Sequence, residues 1–469
     1  MAVRAALRRR FWATVPAWLR LLRAVTLLLA TTVAVLLLVA GLAVNGTWDS
    51  IAGRDAPRTT SAADLNLALN DMDAQAANIL LSNGDAGKGH LDTPYDKAIG
   101  FYGSSRREIG HDLRTLAVAA QGDRSAEKTV ENLTDDFAEY QELIGRALEN
   151  DGHTGGKPAA LADYRKATDL LQGKLLPESR TLVASNDRAF DAEYTAARSL
   201  LSAQLAAAAL GVLLLAVLGL LQWYLARRFH RILNPALLAA TVCALLAVAL
   251  GAQMLTSSSA NLRGARRDAF DSVVALSRAR AIAYDANADE SRYLLDPQRR
   301  GQYARSFLTK SQKLYGIRGA TLDTYDDGMA GSWRAYQADN QDLRFTGEFR
   351  RELDNITFPG ERAAAEKTVE TYAVYQRDDR HIRTLVAQRK EGQAVSFCIS
   401  WQPGMSNAHF GSYMAALDQL TGINRAHFAS SVHDGRSAVS GLLPWAGGLL
   451  LAAMALTALG LRPRLAEFR

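Results

Sequence analysis

The sequence predicts an all-α membrane protein in which four transmembrane helices carry two tandem-duplicated extracytoplasmic four-helix bundles. Three observations predict it. Four long stretches lack charge, the segments between them have helix-forming composition without strand alternation, and a six-residue string recurs in both halves.

Residues 24–48, 199–226, 232–262 and 437–461 contain no Asp, Glu, Lys or Arg, and each is at least 25 residues long. A helix crosses a bilayer with roughly 20 apolar residues. A soluble core helix of that length would keep a polar stripe, and the cores of these stretches, such as 27–42 and 210–221, are nearly pure Leu, Ala and Val. We place the spans at 24–47, 199–225, 235–255 and 437–461. Arg8, Arg9 and Arg10 precede the first, as in a signal peptide. Its apolar run exceeds the ~7–15 residues of a signal peptide, and residues 43–46 offer no clean cleavage site. An uncleaved anchor is expected.

Positive charge sets the expected topology. Segments 1–23, 226–234 and 462–469 hold twelve Lys/Arg against one acid, Glu467. Positive flanks stay cytoplasmic, so both termini and the short link are expected inside the cell membrane. Trp18, Trp223, Tyr224 and Trp445 fall near span ends, where amphipathic rings favour the headgroup layer. Asn234-Pro235 reads as an N-cap followed by proline at the first helical position.

The loops 48–198 and 256–436 are then extracytoplasmic. Residues 48–198 carry 17 Lys/Arg and 25 Asp/Glu; residues 255–438 carry 25 and 22. The net charge of +6 therefore comes mostly from the basic inner rim, and nucleic acid is not expected as a partner. Cys243 lies in a span and Cys398 in a loop, so no internal disulfide is expected.

The duplication rests on ordered matches. Ala126-Glu127-Lys128-Thr129-Val130-Glu131 recurs at 365–370. Phe137-Ala138-Glu139-Tyr140-Gln141 parallels Tyr372-Ala373-Val374-Tyr375-Gln376, and Asp71, Ala74 and Leu80-Leu81 parallel Asp285, Ala288 and Leu294-Leu295. Both copies share one orientation, unlike an inverted transporter repeat.

Within loop one, helices are expected near 48–84, 93–120, 124–150 and 158–198. Asn83-Gly84, Gln121-Gly122-Asp123 and the Gly-rich run 151–156 punctuate them. The first continues from a span and the last runs into one, which makes an up-down-up-down bundle. Loop two repeats the plan, with an insertion at 323–360 expected at the membrane-proximal end. The interruption 391–405 is expected at the tip. Cys398, Trp401 and Pro403 there are candidates for an extracytoplasmic partner contact, the alternative being a self-packed cap.

No phosphate-binding loop, metalloprotease or nucleophile-elbow motif occurs, and no two of the eight histidines share a helix face at metal-binding spacing. Asp135-Asp136, Asp326-Asp327 and Asp378-Asp379 read as solvated surface. We expect no catalytic residue, no metal, no cofactor and no enzyme activity. The spans lack ionisable residues, which argues against an ion path. Ala206–Ala209, Gly211 and Gly447-Gly448 instead provide small-residue packing surfaces. The short inner segments leave no room for an output domain, so any signal is expected to pass to a separate protein. Arg227, Arg228, His230 and Arg231 join the two halves. They are candidates for a cytoplasmic partner contact as well as plain topological anchors.

The layout resembles the periplasmic sensor bundles of chemoreceptors and histidine kinases. More narrowly, the string Ala68-Leu69-Asn70-Asp71-Met72-Asp73-Ala74-Gln75-Ala76-Ala77-Asn78, followed by Tyr95-Asp96, resembles actinobacterial GlnX-type membrane signalling proteins. That resemblance implies two partners, an extracytoplasmic solute-binding lipoprotein of the GlnH type and a cytoplasmic Ser/Thr kinase of the PknG type. It implies relay of glutamate or aspartate status and supplies no catalytic residues. Loop two departs from the motif at Ala286-Asn287-Ala288-Asp289. Chemoreceptor-like bundles bind ligands between protomers, often through arginine, which implies a homodimer; Arg106, Arg107 and Arg114 are then candidates. The expected function is a non-enzymatic signal-relay sensor or adaptor; the alternative is a structural or assembly factor of an envelope complex.

Overall fold

A computed structural model describes residues 15–82, 94–229 and 234–466. Fourteen α-helices occur among them: α1 (Val15–Ser50), α2 (Ala56–Ser82), α3 (Pro94–Ala119), α4 (Arg124–Asp151), α5 (Lys157–Leu170), α6 (Leu176–Phe229), α7 (Pro235–Arg263), α8 (Asp271–Leu295), α9 (Arg300–Leu314), α10 (Tyr325–Ala338), α11 (Glu348–Asp354), α12 (Glu361–Ala387), α13 (Glu391–Ile399) and α14 (Ser406–Ala466). No strand is present among the described residues; one isolated bridge pairs Gly316 with Thr346. Three π-helical segments, Ile51–Asp55, Leu171–Leu175 and Gly264–Phe270, join α1 to α2, α5 to α6 and α7 to α8 without a break.

The boundaries follow local chemistry. Asp123 caps α4 by accepting from the amides of Ser125 and Ala126. Asn234 caps α7 by accepting from Ala236 and Leu237, with Pro235 at the first helical position. Both caps satisfy amides that the helix itself leaves without partners. Asn83-Gly84 lies outside the described residues.

The chain divides into two compact units. One comprises Met1–Ala52, Asp191–Ala265 and Ala429–Arg469; the other comprises Gly53–Phe190 and Arg266–Phe428. Four helices are long and apolar enough to cross a membrane, so this is a multi-pass membrane protein. In the first unit, Ala30, Val33, Leu37, Leu214, Leu218, Ala244, Ala247, Ala446, Leu450 and Ala453 form one core with a contribution from every span. The outward faces expose Leu28, Val35, Leu42, Val212, Leu245 and Leu451, which suits a hydrocarbon surround. Small residues set the approach. A Cβ on Gly211 would come 2.9 Å from Val248, and one on Gly41 would come 2.6 Å from Leu443. Gly447 and Gly448, expected to do the same, have nothing within 4 Å.

The second unit contains both loops. Each is expected from the sequence to form a bundle of its own; in the structure 53–190 and 266–428 cluster together. Their first helices, α2 and α8, pack along each other, and α2 also packs on α3. Both are buried on most sides. Alanine makes that close approach feasible, with Ala62, Ala68, Ala74, Ala76 and Ala77 on α2 and Ala279, Ala283, Ala286 and Ala288 on α8. Around them loop one builds an aliphatic core through Leu65, Leu69, Met72, Ile109, Leu133 and Ile144. Loop two builds an aromatic one from Phe307, Tyr315, Trp333, Phe349, Tyr372, Tyr375 and Tyr413. The 323–360 insertion returns to the start of α8, where the Asn355 amide donates to Ser272 Oγ at 2.9 Å. The 391–405 segment packs on the far ends of α2 and α8, beside Leu81 and Leu294.

Candidate functional site

The α2–α8 contact carries charge where a helix pair of this depth would ordinarily be apolar. Asp73 on α2 and Arg292 on α8 are 0% and 1% exposed. Arg292 Nε donates to Asp73 Oδ2 at 3.1 Å and Nη2 donates to the same oxygen. Tyr140 of α4 donates to Asp73 Oδ1 at 2.8 Å, and Tyr164 of α5 approaches Oδ2 at 3.4 Å. Burial, reinforced by the neighbouring Asp73 charge, holds both phenols well above their usual range, so they stay protonated as donors.

Arg292 also meets its own helix, pairing with Asp289 at 2.6 Å and Asp285 at 3.5 Å. Asp285, Asp289 and Arg292 follow the spacing i, i+4, i+7, which puts them on one face. Lys310 of α9 reaches the same two carboxylates at 2.7 and 2.5 Å. Gln172, in the Leu171–Leu175 π segment, donates to Asp285 at 2.8 Å. Burial works against ionisation of Asp285, yet the Lys310 and Arg292 charges prevail and hold its carboxyl down at about 2. Three buried carboxylates thus face two buried cations, and Arg180 of α6 stands 3.6 Å from Asp285 as the sixth member. Further ties join the loops nearby. Arg165 grips Asp296 through Nε at 2.7 Å and Nη2 at 2.5 Å, and Arg299 meets Asp169 at 2.9 Å.

A cleft of about 810 Å³ opens beside this network. Loop one lines it with Ala63, Asn66, Gln172 and Arg180; loop two lines it from α8, α9 and the stretch 346–351. Its size falls within the ~300–1,000 Å³ typical of small-molecule sites.

Residues 47–195 match the actinobacterial sensor domain. This match fits an actinobacterial sensor protein. No curated protein and no solved structure matches the chain. The sensor-domain segment contains Asp73, Tyr140, Tyr164 and Arg180; Arg292 and Lys310, which complete the network, lie outside the matched residues. The Ala68–Asn78 string is thus the central stretch of the sensor domain's buried helix, and Asn78 accepts from Ser291 of α8 at 2.7 Å.

The candidate residues from sequence fall in several places. Arg227 is exposed near the end of α6, its guanidinium 5.3 Å from the Trp223 ring centre. Arg228 lies in the same helix; His230 and Arg231 lie outside the described residues. Cys398 is 1% exposed among Leu294, Ile382, Leu385 and Ile399. Trp401 is half-buried, its ring 5.4 Å from Phe101 of α3, and Pro403 is exposed. Arg106, Arg107 and Arg114 are exposed on α3 and do not line the cleft. Asp378 and Asp379 are not solvated surface. Both are buried, Asp378 against His409 at 2.7 Å and Asp379 against Arg383 at 2.9 Å. Each finds a different, partly buried partner.

Sequence reasoning missed Arg292, Lys310 and the cleft. One signal was available: Asp285, Asp289 and Arg292 share the alanine-rich face of α8, where charge is costly unless paired.

Proposed function

We propose that this chain is a non-enzymatic transmembrane relay, passing extracytoplasmic glutamate or aspartate status to a cytoplasmic Ser/Thr kinase, with a solute-binding lipoprotein as its extracytoplasmic partner. The observation that carries the reading is helix continuity behind the Asp73–Arg292 pair. The helix bearing Asp73 and the helix bearing Arg292 each continue through a π segment into a candidate membrane span. A change in how the two loops pair would therefore act on two spans at once. The sensor-domain match supports the sensing half of the reading.

We read the two halves as tandem copies. Tyr140 on α4 donates to Asp73, and the matching Tyr375 on α12 donates to Glu290 of α8 at 2.6 Å. The π segments Ile51–Asp55 and Gly264–Phe270 occupy equivalent places between span and loop.

The test is a photocrosslinker at Arg228 in cells, with and without glutamate, aspartate and the lipoprotein. Ligand-dependent crosslinks to a kinase are expected. Crosslinks to another membrane complex that ignore every ligand would overturn the relay and favour an assembly factor.

A further inference from the structure

We infer that the cleft between the loops binds a small dicarboxylate directly and within a single chain. The floor follows from helix geometry. Val274, Ser277, Arg278, Ala281, Ile282 and Asp285 all line the cleft, and their spacing of three and four residues is one face of α8. The cleft is therefore an elongated trough along that helix. Arg278 and Asp285 are separated along it by roughly 10 Å, from 1.5 Å per residue.

Charge is arranged at both ends. Five cationic side chains line the trough, Arg180, Arg278, Lys310, Lys313 and Arg351, against the carboxylates of Asp285 and Glu348. The excess of three positive charges selects an anion. At one end Lys310 is committed to Asp285 and Asp289, which leaves Arg180, half exposed and 3.6 Å from Asp285, to meet a ligand. Lys313 stands exposed one turn along α9 from Lys310. At the other end Arg278 and Arg351 share the single carboxylate of Glu348 at 3.9 and 3.1 Å. Between the ends of the α8 floor lie small and apolar side chains, Ala281 and Ile282. Two cationic ends separated by an apolar waist match a short carbon chain with a carboxylate at each end. A compact anion such as phosphate would satisfy one end only.

The occupant would bridge Arg180 of loop one to α8 and residues 346–351 of loop two, and so bias the same inter-loop contact that carries Asp73 and Arg292. That consequence rests on the relay reading; the binding itself does not.

Calorimetric titration of the full chain in nanodiscs is the test, with succinate, glutamate and aspartate as dicarboxylate probes. Inorganic phosphate serves as the compact anion and glutamine as the singly charged-carboxylate control. Saturable binding of at least one dicarboxylate is expected, weakened roughly tenfold or more by Arg278→Gln combined with Arg351→Gln, since each loses a charge-assisted hydrogen bond. Arg107→Gln, on the exposed face of α3, should bind as the unaltered protein does. Thr309→Trp, which obstructs the trough without removing charge, should also abolish binding and guards against misfolding of the double variant. Absence of dicarboxylate binding by the folded chain would overturn the proposal. So would phosphate binding as tightly, or binding that neither Arg278→Gln/Arg351→Gln nor Thr309→Trp weakens. If dicarboxylate binds normally and the Arg228 crosslinks ignore it, the relay fails and the cleft stands. If the crosslinks respond while both cleft variants bind normally, the cleft fails and the relay stands.

Discussion

Two nitrogens of Arg292, Nε and Nη2, converge on a single carboxylate oxygen of Asp73, 219 residues away in the chain, with both side chains buried. The remaining oxygen of Asp73 accepts from Tyr140. The carboxylate is thus met from two loops at once, with phenol donors from loop one and its cation from loop two. A buried pair of this kind specifies one packing arrangement more than it adds net stability.

Removing one partner tests that dependence. Arg292→Met leaves Asp73, Asp285 and Asp289 buried with Lys310 as their principal cation. We expect a loss of about 3–5 kcal/mol, the usual cost of orphaning a buried charge, read as a lower thermal unfolding midpoint of the purified chain. Asp73→Asn on the same background should cost much less than its effect alone, because the partners act as a unit.

Glu352 predicts a pH dependence. Its carboxyl is pushed up to about 7 by burial first and by the neighbouring Glu361 second. A raised folded-state value means that the protonated form is favoured in the native protein. Its contribution is therefore complete below the unfolded value near 4.5 and is lost as pH rises through about 7. The difference amounts to about 3 kcal/mol. Thermal unfolding from pH 5 to 8 should show a downward slope that Glu352→Gln flattens. Asp112, raised to about 7 by burial and then by Asp64, contributes with the same sign, so the slope should be reduced without vanishing.

Glycine at 435 is required sterically. A Cβ there would fall on the ring of Trp48, which is fully buried. Gly435→Ala should destabilise the membrane-spanning unit by about 1–3 kcal/mol, as overpacking does. Gly447→Ala, with open space around it, should be neutral or slightly stabilising. Detergent-resistance assays on the two variants distinguish them.

The cap formed by α13 and the turn after it should open locally. Trp401 packs on Phe101 at 5.4 Å, and Lys97 lies 5.9 Å from its ring centre. Trp401→Ala removes an aromatic pair worth about 0.5–1.5 kcal/mol. Faster hydrogen exchange across residues 391–405 is expected, with the global unfolding midpoint nearly unchanged.

Much of the helical layout was legible in the chain itself. The charge-free runs fall in the four helices long and apolar enough to cross a membrane, and the Gln121-Gly122-Asp123 break and the Asn234-Pro235 pair fall at the starts of α4 and α7, because each is decided by residues within one turn. The two middle loop-one helices end within a few residues of their expected bounds; the first and the fourth are interrupted by the π segments Ile51–Asp55 and Leu171–Leu175. The inter-loop network was not legible. Pairing Asp73 with Arg292 depends on which faces of α2 and α8 meet, and periodicity within one helix does not record its neighbour. Asp378 and Asp379 were misread for a similar reason, since their partners His409 and Arg383 are recruited by tertiary packing and helix pitch. The glycines at 447–448 had the composition of a packing surface without the facing helix.

The π segments at Ile51–Asp55 and Gly264–Phe270 give the two helices behind the buried ion pair a property that a plain α-helix lacks. A π turn holds one residue more than the α turn it replaces. That extra residue can migrate from turn to turn, passing a shift of side-chain phase along the rod while the backbone stays hydrogen-bonded. The π segment that α6 meets, Leu171–Leu175, lies within loop one and not between loop and span, and α14 runs its 61 residues without one, with Pro444 and Pro463 inside it. Two of the four connecting rods therefore carry a π segment where loop gives way to span, and the other two do not.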